Sequence, residues 1–114
     1  MKIIHEKVTL QELEKLSEKM FGELVKAVVD IKKEIMAIDA ELHSDLEGLL
    51  LEHESQQEDL WGINIYPKNI PTGNWVEFDS MINLRPSQGN TSRNVDNPDT
   101  RKAIIKIVTQ LVVK

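Results

Sequence analysis

Residues 22–42 read GELVKAVVDIKKEIMAIDAEL, from Gly22 to Leu42, and the fold turns on their secondary structure. Two periodicities compete in them. Phe21, Leu24, Val28, Ile31, Ile35, Ile38 and Leu42 fit an a/d heptad, which makes one long helix from Leu10 to Leu42 an alternative. Against it, Val25, Ala27, Val29 and Ile31 alternate with Lys26 and Asp30, and Met36, Ile38, Ala40 and Leu42 alternate with Ala37, Asp39, Glu41 and His43. Period two is the mark of a strand with two unlike faces. Gly22 inside a helix costs roughly 1 kcal/mol, whereas it suits a C′ position beyond a helix end. The strand reading predicts a hairpin, with Lys32-Lys33 at its turn.

Working outward, the N-terminal side reads as a helix. Thr9-Leu10-Gln11-Glu12 fits a capping box, and Leu13, Leu16, Met20 and Phe21 keep helical spacing. Residues Lys2–Val8 form a short edge strand in this reading. On the C-terminal side Ser44-Asp45 is expected to turn, followed by a strand over Leu46–Glu52. Two further strands follow. Trp61, Ile63 and Ile65 share one face of the first, and Val76, Phe78, Ile82 and Leu84 share one face of the second. Pro67, Pro71 and Gly73 break the chain between them, and Pro86 ends the second. Asn97, Pro98 and Asp99 then start a final helix with Ile104, Ile107, Val108 and Leu111 as its buried stripe.

Together these elements predict a single α+β domain over 1–114. An antiparallel β-meander of about five strands (roughly 25–31, 34–43, 46–53, 58–66 and 75–85) packs on an N-terminal helix (10–21) and a C-terminal helix (98–113). Both helices cover one sheet face, the two-layer solution for such a sheet. The other face is more polar, and faces water or a partner.

Composition narrows the function classes. The chain has 114 residues, 40% of them hydrophobic, which suffices for one core. It has no Cys, so thiol and disulfide chemistry are excluded. No apolar run approaches the roughly 20 residues of a membrane span, and the start does not resemble a signal peptide, so a cytoplasmic protein is expected. A formal net charge of −5 argues against general binding to nucleic-acid phosphate.

The segments Gln56-Gln57-Glu58-Asp59-Leu60-Trp61-Gly62 and Ile82-Asn83-Leu84-Arg85-Pro86-Ser87-Gln88-Gly89-Asn90 resemble a family of short prokaryotic proteins classed only as a domain of unknown function. Glu41-Leu42-His43-Ser44-Asp45 is similar to it too. The resemblance runs from about Phe21 to the end. It implies a small stand-alone prokaryotic protein and brings no activity, substrate or catalytic residue.

Two groups of residues are candidates for chemistry. Arg85, Ser87, Gln88, Gly89 and Asn90, with Arg93 nearby, form a loop that can cradle an anion through amides and guanidinium forks. The plainer reading is a polar loop, with Arg85 as a clamp paired to Asp79 or Glu77. The loop lacks the phosphate-loop pattern G-x-x-x-x-G-K-[ST]. His43, Asp45 and Glu47 converge if they lie on one strand, with His53, Asp59 and Asp79 as neighbours in space, and suit general acid–base work. The plainer reading of that cluster is solvated turn charge. Its spacing matches no metal motif, so no metal or cofactor is expected. Trp61 is expected in the core rather than on a stacking surface. The first functional expectation is a non-enzymatic module that binds a protein partner or forms a homo-oligomer through the sheet. The alternative is a small hydrolase acting on a phosphate-bearing compound.

Overall fold

The computed structural model describes residues 1–114. Its element order is β1 (Lys2–Ile4), β2 (Val8–Thr9), α1 (Leu10–Met20), β3 (Val25–Asp30), β4 (Ile35–Ile38), α2 (His43–Glu52), β5 (Leu60–Ile65), β6 (Val76–Glu77), α3 (Pro98–Leu111) and β7 (Val112–Val113). The fold is α+β, with a five-stranded antiparallel sheet flanked by N- and C-terminal helices, as the alternation predicts.

The deciding stretch is a hairpin. Val25–Asp30 pairs with Ile35–Ile38, in the register Ala27 to Ile38 and Asp30 to Ile35. Gly22 stops the helix before it at φ +87°, a conformation that a side chain would strain. The Lys32-Lys33 turn lacks Asn-Gly chemistry and is held by Asp30 instead. The Asp30 carboxylate accepts from the amides of Lys32 and Lys33, each at 2.9 Å, and from the Ser55 hydroxyl at 2.6 Å. The N-caps of α1 and α3 match expectation, although the capping box at Thr9 is half made, since the Glu12 carboxylate takes the Lys2 ammonium rather than the Thr9 amide. Thr9 Oγ1 accepts from the Glu12 amide, and Asn97 Oδ1 accepts from the amides of Asp99 and Thr100.

Three expectations need correction. First, residues 46–53 are not a strand: α2 spans His43–Glu52. Leu46 and Leu50, one helical turn apart, pack with Val28, Ile35, Ala37 and Leu60 on the second sheet face. That face is therefore covered by α2 rather than left to water. Second, the sheet is not a meander. Its order is β1-β4-β3-β5-β6, with β3 at the centre and the N-terminal strand on one edge. Third, the strands of 34–43, 58–66 and 75–85 are shorter than drawn. The last keeps only Val76–Glu77, paired with Asn64 and Ile65.

The main core lies on the opposite face. Val25, Ala27, Val29, Met36, Ile38, Trp61, Ile63 and Ile65 meet Leu13 of α1 and Ile104, Ile107, Val108 and Leu111 of α3. Both terminal helices thus cover the same sheet face. The chain ends are tied together by a small parallel pair, Val8 with Val112 and Thr9 with Val113.

Candidate functional site

The loop of residues 79–96 takes the place of a strand along β5, and side chains make the pairing. After Glu77 the chain enters a 3₁₀ turn at Met81–Asn83, capped by the Ser80 hydroxyl. The fully buried Asn83 then imitates a neighbouring backbone. Its Oδ1 accepts from the Gly62 amide at 2.8 Å and its Nδ2 donates to the Gly62 carbonyl at 3.0 Å. Gly62 is required here, because a Cβ at that position would lie 2.6 Å from Ser80 Cβ. Asn90 fastens the far end: Nδ2 donates to the carbonyls of Asn83 and Asn94, and Oδ1 accepts from the Asp96 amide. Arg85 and Asn90 exchange both backbone hydrogen bonds, and Gly89 at φ +79° closes the turn between them.

The predicted anion residues fall in this loop, but the donors of Arg85, Gln88, Gly89 and Asn90 bond to carbonyls of the chain. Arg85 is only 9% exposed. Nη1 donates to the Gln57 carbonyl and Nη2 to the Leu60 carbonyl, both at 2.5 Å, and the guanidinium stacks 4.1 Å from the Trp61 ring centre. Burial pulls the Arg85 pKa down, and the Glu47 carboxylate opposes this. The clamp partners of Arg85 are therefore carbonyls, while Asp79 pairs with Arg93 at 2.7 Å. The amides of Gln88, Gly89 and Asn90 all donate to the carbonyls of Arg85 and Pro86. Ser87 is exposed, and the Gln88 carboxamide donates to the Glu58 carbonyl. The loop does hold an anion, its own Asp96. This carboxylate accepts from the Ser92 hydroxyl at 2.6 Å and the Thr91 amide at 2.9 Å, and these bonds hold its pKa below the usual carboxylate range.

The helical α2 separates the predicted catalytic group. His43 and Asp45 are two residues apart on a helix, so their side chains diverge. His43 is buried, whereas Asp45 is exposed. Glu47 shares a stripe with His43, yet its charge acts on Arg85 and its buried Oε2 has no partner. What the tertiary structure brings towards His43 is the Asp79–Arg93 pair and Lys26, whose charges all act on the imidazole. Asn64 and Tyr66 lie beside this group, both donating to Glu77 Oε1, at 2.8 and 3.1 Å. Sequence spacing does not single out Asn64, Asn83 or Asp96. The one signal was polar Asn64 standing in an apolar strand.

His43 Nε2 lies 2.8 Å from the Ile63 carbonyl. A carbonyl only accepts, so the neutral ring carries its proton on Nε2 and keeps the lone pair on Nδ1. Desolvation lowers its pKa below the ordinary 6.5. The Ile63 carbonyl and Asp79 oppose that shift, while Lys26 and Arg93 add to it. Below 6.5 the unfolded chain binds a proton that the folded ring resists, so stability rises with pH across that window. Acidification through this range is expected to lower the melting temperature. His43→Gln keeps an N–H donor for Ile63 and is expected to flatten the slope. Melting curves of both proteins against pH check this, and an unchanged slope in the variant places the titration at another group.

The chain matches, over residues 2–111, a family described as a protein of unknown function, DUF5674. The chain belongs to this family. Neither a curated protein nor a solved structure matches it. The family description assigns no activity, so residue geometry carries the functional argument. No helix is long and apolar enough to cross a membrane.

Proposed function

We propose that this chain is a non-enzymatic module of the prokaryotic cytoplasm that binds a protein partner or a second copy of itself. The setting rests on the resemblance carried by the Trp61 and Arg85–Asn90 segments. One observation carries the binding role. His43, Arg85 and Asn90, the buried polar groups expected to do chemistry, bond within the chain, while large apolar side chains stand outside it. Leu42, at the start of α2, is 54% exposed, and Met81, on the turn packed beside that helix, is 62% exposed. Exposed apolar side chains on two neighbouring elements are what a partner surface covers. With α2 and the terminal helices on its two faces, the sheet itself offers a partner only its edges, β1 and β6. Size-exclusion chromatography with light scattering tests the self-associating form of this reading. The expected mass exceeds the 13.1 kDa of one chain. A single-chain mass at high concentration sinks it.

The hydrolase alternative has one supporting observation, the Nδ1 lone pair of His43 near the Asp79–Arg93 pair. It needs turnover of a generic phosphate ester that His43→Gln abolishes. The binding reading expects no turnover by either protein.

A further inference from the structure

We propose that copies of this chain associate head to tail, the outer face of α2 in one copy seating in the basic groove beside α3 of the next. The inference rests on the self-associating reading above and goes beyond it by naming both surfaces.

The first observation is Gly48. It sits mid-helix in α2, where glycine costs roughly 1 kcal/mol relative to alanine. Nothing inside the chain explains it: a Cβ built there meets no atom within 4 Å. Its φ is not positive, so no turn demands it either. A glycine on an outward helix face lets a second body approach the backbone closely. Leu51, at i+3 from Gly48 on the same helix face, is 42% exposed and serves as its apolar anchor, and Leu42 at the helix N-cap is 54% exposed.

The second observation is charge. From residue 34 to 67 the chain holds nine acidic residues and no Lys or Arg, and α2 with its flanks carries most of them. Across the sheet, a groove of about 500 Å³ runs between α3 and Phe78. Arg101, Lys102 and Lys106 line it together with apolar Ile105, and no acidic side chain does. Arg101 is turned to the Val95 and Asp96 carbonyls. Lys102 and Lys106 are exposed and take part in none of the ion pairs. Ile105, between them, is 38% exposed. An acidic surface with leucine anchors and a basic groove with an isoleucine and a phenylalanine are complementary in both charge and apolar character. In a chain of net charge −5, this groove is where an acidic surface is attracted rather than repelled.

The two surfaces differ and lie on opposite faces of the sheet, so the contact is heterologous. It closes into a ring or grows as a filament. Two variants test it. Gly48→Lys fills the α2 face and, having open space and good helix propensity, is expected to fold. Lys102→Glu/Lys106→Glu reverses the groove at exposed positions. Circular dichroism confirms the fold of each. By sedimentation, each variant alone is expected to run as a single chain, with association weakened about tenfold or more. A one-to-one mixture is expected to form a species of two chains and no larger, because one intact α2 face meets one intact groove. Variants that assemble like the parent, or a mixture that stays single-chain, overturn this contact and leave self-association standing. A parent protein that is itself a single chain overturns both.

Discussion

Trp61→Ala is expected to lower the unfolding free energy by about 3–5 kcal/mol, the range for deleting a large aromatic from a packed interior. Trp61 is only 6% exposed and stands opposite Val29 in the β3–β5 ladder. It also packs in the same cluster as Ile63 and residues of α3. Its loss opens a cavity between sheet and helix that rigid strands cannot close. The ring also carries the Arg85 guanidinium, a contact worth about 0.5–2 kcal/mol. The indole Nε1 is buried and has no partner. Trp61→Phe, which removes that orphan donor and keeps an aromatic face, is therefore expected to cost much less than Trp61→Ala. Urea titration followed by circular dichroism measures both. A loss below about 1 kcal/mol for the alanine variant shows that the ring is not core, against the 5–15 kcal/mol of a typical domain.

Arg85→Ala is expected to destabilise by about 2–4 kcal/mol. It leaves the Leu60 carbonyl buried without a donor, at about 1–3 kcal/mol, and removes a second charged hydrogen bond to Gln57. Arg85→Lys is expected to recover little, because one ammonium cannot reach two carbonyls and stack on a ring as the planar fork does. The losses at Arg85 and Trp61 share one contact, so the double variant is expected to fall short of their sum. Titration with phosphate, read by amide chemical shifts, separates the clamp from an anion site. The clamp reading expects no shifts confined to residues 85–93 at millimolar phosphate. Such shifts, with a stable Arg85→Ala variant, restore the anion site.

Local chemistry alone determined the parts of this fold that rest on neighbours in the chain. Thr9 and Asn97 announce their helices through capping bonds to residues two or three positions on. Gly22 announces a helix end, and the alternation of Val25–Ile31 and Met36–Leu42 announces a hairpin, although α2 buries its second face as well. The helix α2 was not legible for the same reason. Its N-cap is Leu42, which makes no side-chain cap bond. Leu46, Leu49, Leu50 and Leu51 satisfy both a strand and a helix pattern, and Ser44-Asp45 imitates a turn. Only the apolar surface of Val28, Ile35, Ala37 and Leu60 selects the helix, because it receives Leu46 and Leu50 one turn apart. The candidate site was divided in the same way. A Gly, a Pro and two Arg mark residues 85–93 as a special loop, but which way Arg85 points depends on the Gln57 and Leu60 carbonyls, 28 and 25 residues away. Asn83 replaces a strand because the Gly62 backbone, 21 residues away, needs a donor and an acceptor. A buried polar group must find its partner wherever the fold places one, and sequence spacing does not encode that place.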